Sequence, residues 1–326
     1  MILSMFPLIV AVLLGPPSPP PDRIAAKAFG RDVQIEARDF ANDAGRAILE
    51  KAVAEIAEME RLMDAARPEG GLAVLNAAAG KGPQAMDPRL FAVLARARDF
   101  CIWSEGAHGP LDRDLYALFG LRAPAPDPPP EERLHQALSR TGCEGLALDP
   151  EKGTATLAEG YALDLWGFAE GHAVDRAVEI LRQGGIANGF VRIGQVQRGF
   201  GPGPGGRGWR VVLPPVPGLE EPAGRVDLRD RALAIASPAD HPRQGKVPYV
   251  NQRTGLPAQG VLALAAVSDL ALDAQGLATI LFIIGPKEGQ LRMGSVRPRP
   301  SILWLLGSGE GPPLQVDYRW SEISRR

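Results

Sequence analysis

The chain has 326 residues, of which 45% are hydrophobic, enough to bury a sizeable core in one large domain or two small ones. Its 36 Lys and Arg against 38 Asp and Glu give a formal net charge of -2, which argues against a nucleic-acid-binding or polybasic membrane-binding protein. The two cysteines, Cys101 and Cys143, are too few for a disulfide scaffold and lack the spacing of a zinc site. We predict two separate reduced thiols, with a single disulfide as the alternative outside the cytoplasm.

The N-terminal 22 residues are predicted to lie outside the folded part. Residues 1–14 (MILSMFPLIVAVLL) are apolar but fewer than the roughly 20 that span a bilayer, so no stable transmembrane anchor is expected. Their length suits the apolar part of a signal peptide, and the Pro-rich residues 16–21 follow them. We therefore predict an exported protein, periplasmic or on the cell-envelope side, with its domain in residues 23–326. If this segment is a mis-assigned start or a frayed tail, the protein is cytoplasmic.

The spacing of apolar residues predicts the secondary structure. Residues 32–37 (DVQIEA) alternate apolar and polar side chains, which predicts a half-exposed strand, the first of a sheet. Residues 41–63 place apolar side chains on one helical face and predict a long amphipathic helix. Further helices are predicted at residues 88–103, 131–139, 169–183 and 272–284, and further strands at residues 145–148, 154–157, 190–193, 209–213 and 262–267. Grouped strands with inserted helices indicate an α+β fold.

Two glycine-containing segments have different predicted roles. Gly184 and Gly185 end the helix predicted at residues 169–183. The segment of residues 199–208 (GFGPGPGGRG) contains no Lys-Ser/Thr pair and follows no strand-to-helix pattern. It is predicted to be a flexible hairpin tip rather than a phosphate-binding loop.

Residues 164–175 have features of a phosphate site. Gly167 and Gly171 allow close approach to the backbone, and the helix start beside them offers unpaired amide groups at the positive end of its dipole. Asp164 could accept a hydrogen bond from a ribose or an adenine, and Glu170 in the first turn favours the helix. The alternative is that Asp164 and Glu170 only cap the helix and bind no ligand.

Four segments carry a resemblance to a known family. They begin at Leu62 (LMDAARPEGGLAVLNAAAG), Leu163 (LDLWGFAEGHAVDRAVEILRQGGI), Asn251 (NQRTGLP) and Ala274 (AQGLATILFIIGP). In this order and at this spacing they resemble the flavin transferases of the ApbE type, the FAD:protein FMN transferases. The resemblance implies their α+β fold, related to the T-fold, with mixed or antiparallel sheets and packed helices.

The resemblance also implies a reaction, in which the FAD diphosphate is cleaved and FMN moves to a Ser or Thr hydroxyl of a partner protein. Phosphoryl transfer depends on positioning and charge neutralisation, so the family's Mg²⁺ carries much of the catalysis. FAD and Mg²⁺ are the implied cofactors, and an acceptor protein is the implied partner. By their match to the family pattern, the predicted cofactor-binding residues are Met63, Asp164, Glu170 and Gly171, and the predicted metal-binding residues are Gly167, Gln275 and Thr279.

Several polar groups of the family pattern are replaced here. Gln275 stands where the family has a metal-binding Asp, and a neutral amide does not compensate the charge of the cation. The other replacements are Ala66 for a flavin-contacting aromatic residue, Gly109 for an Asp, Pro248 for a His, Asn251 for an Asp, and Gly194, Gln195 and Val196 for Gly-Gly-Asp. We therefore predict a divergent member with weak or lost Mg²⁺-dependent transfer, and assign no catalytic residue.

Two alternatives remain open. An active transferase with a rebuilt metal site would use Thr279, Glu170, Asp164 and Asp273, whereas a non-catalytic module would retain a flavin-binding or partner-binding surface.

Asp175, further along the helix than Glu170, is expected to be solvated.

A few residues could compensate for the replaced groups. His108 and Asp112, near Gly109, are candidates for acid/base or metal-ligand function, although the histidines of this chain show no metal-ligand spacing. Tyr249 is a candidate for stacking on a ring. Trp103, Trp166 and Trp209 are interpreted as core or rim residues, of which Trp166, next to Gly167, is the one to test.

Overall fold

An eight-stranded antiparallel sheet organises the fold, with strand order β1-β2-β6-β7-β10-β13-β14-β15. The computed structural model describes residues 22–38, 42–120, 125–126, 128–238, 249–309 and 311–325. The strands of this sheet are β1 (Asp22–Ala28), β2 (Arg31–Ala37), β6 (Gly189–Ile193), β7 (Val196–Phe200), β10 (Arg231–Ala236), β13 (Val261–Ser268), β14 (Ser301–Leu306) and β15 (Leu314–Tyr318). Of the predicted signal peptide and Pro-rich tail, residues 1–22, all but Asp22 lie outside the described residues, and Asp22 begins β1. The domain boundary stays a prediction.

The other strands of the described residues form three small antiparallel sheets. One contains β16, β9 and β8, another β3, β5 and β4, and the third the pair β11 and β12. Their bounds are β3 (Gln84–Ala85), β4 (Leu146–Asp149), β5 (Thr154–Leu157), β8 (Trp209–Leu213), β9 (Gly224–Leu228), β11 (Val250–Asn251), β12 (Leu256–Pro257) and β16 (Ser324–Arg325).

The main core lies between the helices and one face of the large sheet. The helices are α1 (Asp43–Met63), α2 (Gly71–Ala77), α3 (Pro88–Trp103), α4 (Arg113–Leu118), α5 (Glu131–Leu138), α6 (Ala169–Gln183) and α7 (Ala271–Arg292). In β2 the alternation places Val33, Ile35 and Ala37 on this inner face, where they are buried in the same cluster as apolar residues of α1, α6 and α7. Helices α6 and α7 pack on this face and contact each other.

The other face of the sheet, the outer face, is divided. Its β10-β13-β14 half is apolar and is covered by β8 and β9, in a second core that includes Leu233, Ala265 and Leu303. Its β1-β2-β6-β7 half carries polar side chains such as Gln34 and Arg192, which lie opposite each other in the register. The two cores follow from the period-two alternation of the strands.

The predicted α+β class is confirmed, and most predicted elements are present. The helices at residues 88–103 and 169–183 and the strands at residues 154–157 and 209–213 have the predicted bounds. Gly184 is the C-cap of α6, and Gly185 follows it with a φ of 88°. Helix α7 consists of two helical segments separated by a kink at Gly285, whose φ of 70° and ψ of 177° are not helical. Glycine adopts this positive φ without a steric penalty, so the first segment ends at residue 284, as predicted, and a second segment follows as far as Arg292.

Two predictions on strands and loops are wrong. Residues 32–37 are not in the first strand of the sheet, because β1 precedes β2 and pairs with it over seven residues. The glycine-rich segment of residues 199–208 is not a hairpin tip, because β7 and β8 belong to different sheets. It instead carries the chain from the large sheet to the small one, with a 3-10 turn at Pro204–Gly206.

The prediction of two reduced thiols is also wrong, since Cys101 and Cys143 form a disulfide. Cys101 is fully buried near the end of α3, and Cys143 lies in the turn after α5. Their separation of 42 residues hides this proximity in the sequence. The bond fastens the turn after α5 to α3.

None of the described helices is both long enough and apolar enough to cross a bilayer.

Candidate functional site

A cleft runs along the starts of α6 and α7 and consists of two adjoining pockets. The larger pocket, about 710 Å³, is lined by Phe29, Glu60, Met63, Asp64, Asp164 and Ala169 among others. The smaller pocket, about 510 Å³, is lined by Arg31, Gln195, Val196, Tyr249 and Thr279 among others. Both pockets share Trp166, Gly167, Glu170 and Gln275. The cleft therefore brings together every predicted cofactor-binding and metal-binding residue except Gly171.

Gly167 lies where the two pockets meet, and its backbone permits no side chain. Its φ is 88°, a region that L residues rarely adopt. A Cβ at this position would lie 2.9 Å from His108 Nε2 and 3.1 Å from Thr279 Oγ1. The glycine thus lets the turn before α6 pass directly over His108 and beside Thr279.

Gly167→Ala is expected to lower the free energy of unfolding by about 2–4 kcal/mol, since it adds steric overlap to an unfavourable φ. Gly82→Ala is the matched control, because Gly82 has a φ of 89° and nothing within 4 Å of an added Cβ. Chemical denaturation of both variants measures the difference. Equal losses of stability would contradict the close packing around Gly167.

Gln275 bridges the starts of α6 and α7. Its Oε1 accepts a hydrogen bond from the Gly171 amide at 2.7 Å, and its Nε2 donates to Glu170 Oε2 at 2.9 Å. The other carboxylate oxygen of Glu170 lies 3.6 Å from Arg31 Nε. Gln275 and Glu170 are therefore engaged with protein groups at the centre of the cleft.

The amides at the start of α6 differ from the sequence prediction. Phe168 and Ala169 both donate to the Leu165 carbonyl at 3.0 Å, and Gly171 donates to Gln275. The prediction that this helix start offers unpaired amides is wrong for these three residues, because the turn before the helix and α7 supply the acceptors. Gly171 has a packing role as well, since an added Cβ would lie 2.5 Å from the Ala271 carbonyl oxygen.

Asp164 shapes the turn that leads into α6. Its Oδ1 accepts a hydrogen bond from the Trp166 amide at 2.9 Å, and the residue is buried. Met63 and Thr279 are also buried in the walls of the cleft. Contacts of these three residues with a ligand stay predictions.

Two acidic residues considered from the sequence are held elsewhere. Asp273 pairs with Arg96 of α3 at 2.7 Å, and it does not line either pocket. Asp175 is not solvated, as it accepts from the amides of Ala271 and Leu272 and pairs with Arg198. It therefore caps the start of α7, and its burial raises the pKa of its carboxyl group. Both side chains serve packing between helices.

His108 and Asp112 form a buried pair beneath Gly167. His108 Nδ1 lies 3.7 Å from Asp112 Oδ2 and 3.2 Å from Gln252 Nε2, and its ring stacks on Phe168 at 5.2 Å. Neither His108 nor Asp112 has appreciable solvent exposure. Burial lowers the pKa of His108 to about 3, so the imidazole is neutral near pH 7. The pair supports the cleft from below rather than facing a ligand.

Aromatic side chains line both pockets. Trp166 lines each of them, and its ring centroid is 5.2 Å from that of Tyr249, which in turn packs on Phe282 at 4.1 Å. Phe29, in the turn between β1 and β2, lines the larger pocket. Phe29 is not indicated by the sequence, because a single aromatic residue in a turn has no periodic signal.

The amino-acid sequence matches the model of the ApbE family over residues 29–297. The chain belongs to the ApbE family. It is 29% identical over 273 residues to a FAD:protein FMN transferase of Treponema pallidum, covering 73% of this chain and 72% of that protein. It is 27% identical over 241 residues to a FAD:protein FMN transferase of Vibrio cholerae, covering 71% and 72%. The predicted family is confirmed.

The fold is similar to that of a solved ApbE structure. The apo form of the Pseudomonas stutzeri flavinyl transferase ApbE superposes with a TM-score of 0.82 at 18% identity, covering 93% of this chain and 96% of that chain. At this identity the likeness concerns the fold alone. It confirms the predicted flavin-transferase fold.

The Mg²⁺ ion that the ApbE pattern implies does not fit the residues present. Mg²⁺ requires hard oxygen ligands, of which carboxylates also compensate its charge. The carbonyl oxygen of Gln275 accepts from Gly171, and the carboxylate of Glu170 is shared between Gln275 and Arg31. In the described ranges, no group of three or more His, Cys, Asp or Glu is arranged to hold a metal ion.

The other predicted departures from the ApbE pattern lie in different surroundings. At Gly109 an added Cβ would lie 2.6 Å from Cys101 Cβ and 2.7 Å from Cys101 Sγ, so the disulfide occupies the space of a side chain. Asn251 Oδ1 accepts from the Arg253 amide at 3.0 Å and stabilises a turn. Ala66 is exposed and lines neither pocket. Pro248 lies outside the described residues.

Arg31 is the cation that sequence analysis of the ApbE pattern missed. It begins β2, and its side chain is 29% exposed in the smaller pocket, near Glu170. No other Lys, Arg or His among the described residues lines that pocket. A lone arginine at the start of a strand has no sequence signature, so only the fold reveals its position.

Proposed function

We propose that this chain binds a flavin nucleotide in the cleft, and that Mg²⁺-dependent transfer of FMN from FAD to a Ser or Thr of a partner protein is weak or lost. The transfer reaction is suggested by the names of the relatives, which are FAD:protein FMN transferases. The observation that carries the proposal is the bridge made by Gln275 to Gly171 and Glu170. A neutral amide holds the two helix starts together at the position where the family pattern has a metal ligand.

The two pockets suit different parts of a flavin nucleotide. Trp166, Phe29 and Met63 give the larger pocket apolar and aromatic surfaces, which suit a flat ring system. Arg31, Gln195 and Thr279 give the smaller pocket donors, which suit phosphate oxygens. These residues support FAD binding that does not depend on a metal ion.

The loss of transfer is supported by the charge of the cleft. Charge that develops on the phosphoryl oxygens in the transition state must be neutralised, and in this reaction class a metal ion does much of that. Glu170 lies 3.6 Å from Arg31 and already compensates part of its charge. One partly compensated guanidinium is a poor substitute for a divalent cation.

We also propose that the protein acts outside the cytoplasm, on the periplasmic or cell-envelope side. The Cys101–Cys143 disulfide supports this, because disulfides persist mainly in oxidising compartments. Thiol titration of the unfolded, unreduced protein isolated from its own cell should detect no free thiol. Two titratable thiols would favour a cytoplasmic protein.

Gln275→Asp is expected to strengthen Mg²⁺ binding in the presence of FAD by at least about tenfold, because it adds a carboxylate and removes the amide that donates to Glu170. Isothermal titration with MgCl₂ measures the change. Gln136→Asp, an identical change at an exposed position of α5, is the control.

The unmodified chain should bind FAD equally well with Mg²⁺ and with EDTA, as followed by visible absorbance.

Two outcomes would reject this proposal. Tight Mg²⁺ binding by the unmodified chain, unaffected by Gln275→Ala, would place a functional metal site elsewhere in the protein. A chain that binds no FAD under either condition would leave the cleft without its proposed ligand.

A further inference from the structure

A basic groove crosses the outer face of the large sheet, on the side away from the helices. It is lined by four arginines and three glutamines, namely Arg23, Arg38, Arg192, Arg210, Gln34, Gln195 and Gln197. Phe190 and Trp209 stack with ring centroids 5.5 Å apart and form its apolar floor. Its volume is about 1140 Å³. This surface adjoins the smaller pocket of the cleft, but its arginines do not line that pocket.

The groove has an excess of positive charge. Glu36 is the only carboxylate that lines it among the described residues, and Arg23 and Arg38 share it at 2.8 Å and 3.4 Å. Arg210 pairs with Asp227, which lies outside the lining. Arg192 is exposed, donates to the Gly194 carbonyl and makes no ion pair within the described part of the chain. Among the described residues, the four guanidinium groups of the groove are therefore paired with only two carboxylates, those of Glu36 and Asp227.

A row of polar side chains runs across three neighbouring strands in the groove. Gln34 of β2 lies opposite Arg192 of β6, and Arg192 lies opposite Gln197 of β7. Gln197 is only 4% exposed, and it lines the groove beside Arg192. The row therefore offers amide and guanidinium groups that can form hydrogen bonds with a polar ligand lying across the strands.

The groove is continuous with the candidate active site. Gln195 and Ile235 line both the groove and the smaller pocket of the cleft. A chain segment lying along the groove would pass Gln195 and place a neighbouring residue at the mouth of the smaller pocket. A small anion would not need a surface of this length.

We propose that the basic groove binds an extended, acidic segment of the partner protein whose Ser or Thr is presented to the cleft. The identity of this partner as a flavin acceptor rests on the proposed function, but binding in the groove does not require transfer. Carboxylates of the segment pair with Arg192 and its neighbours, and its backbone or amide groups bond to Gln34 and Gln197. Charge complementarity of this kind selects acidic partners and suppresses basic ones.

The test is fluorescence polarisation with a fluorescein-labelled 12-residue peptide that contains four Asp and a central Thr. A second peptide with Asn in place of each Asp is expected to bind at least tenfold more weakly. Arg192→Glu should weaken binding of the Asp peptide at least tenfold, and the milder Arg192→Gln should weaken it less. Arg133→Glu, the same charge change at an exposed position of α5, should have no effect.

Equal binding of the two peptides, or no effect of Arg192→Glu, would overturn the proposal. Stronger binding of a 12-nucleotide single-stranded DNA at the same groove would overturn it in favour of a nucleic-acid ligand. The titrations are run with and without FAD. Peptide binding without any FAD binding would reject the proposed function and leave the groove proposal intact.

Discussion

Incubated with FAD, Mg²⁺ and an acceptor domain, the protein is expected to attach FMN to Ser or Thr at least about 100-fold more slowly than an ApbE-family member that retains the metal-binding Asp. Each ~1.4 kcal/mol of lost transition-state stabilisation slows a reaction about tenfold. The neutral Gln275 does not supply the negative charge with which an aspartate would bind Mg²⁺. The developing charge of the phosphoryl-transfer transition state is then less well neutralised. Gly109, in place of a further Asp, adds to the loss, although such effects are not additive.

In-gel flavin fluorescence and intact-mass measurement detect the labelled acceptor. The control is a relative with an intact pattern, which must modify the same acceptor under the same conditions. Robust labelling by the unmodified chain, abolished by Thr279→Ala, would show that transfer is retained.

Arg31→Gln is expected to weaken the binding of FAD and FMN about ten- to 100-fold and to leave riboflavin binding unchanged. Hydrogen bonds to charged groups contribute about 1.5–3 kcal/mol, and riboflavin has no phosphate to receive them. The affinities are measured by quenching of flavin fluorescence. An equal loss for riboflavin would show that Arg31 supports the pocket instead of binding phosphate.

Arg38→Gln is the matched control for this experiment. Arg38 has a similar exposure, 27% against 29% for Arg31, and it also lies near one glutamate, at 3.4 Å against 3.6 Å. It lies on the outer face, in the basic groove, and does not line the cleft. Its replacement should therefore leave the affinities for FAD and riboflavin unchanged.

Local patterns in the sequence predicted the helices well. In α3 and α6 the apolar residues recur on one face, Pro88 marks the start of α3, and Gly184 marks the end of α6. Each helix can therefore be predicted from its own segment of the sequence. Strand β1 was missed because only its last residue is buried and its sequence, DRIAAKA, has few β-branched side chains. Its place is set by pairing with β2, which a single segment does not reveal.

The candidate site was predicted only in part, because its chemistry depends on contacts between distant segments. The predicted residues of two motifs, including Asp164, Gly167 and Gln275, do line one cleft. However, the bond between Gln275 and Gly171 joins positions 104 residues apart, and nothing local to either residue indicates it. Arg31 reaches the cleft for the same reason, since the order of strands brings β2 next to β6.

The contact between Gly109 and Cys101 couples the residue types that positions 109 and 101 can hold. An aspartate at position 109 has no room while Cys101 lies 2.6 Å from its Cβ, and a smaller residue at position 101 breaks the disulfide and leaves Cys143 as an unpaired thiol. An aspartate could be introduced at position 109 only after position 101 is changed. The intermediate variant would lack the Cys101–Cys143 disulfide and would still lack the carboxylate. Packing against Cys101 therefore excludes an aspartate at position 109 as long as the disulfide is present.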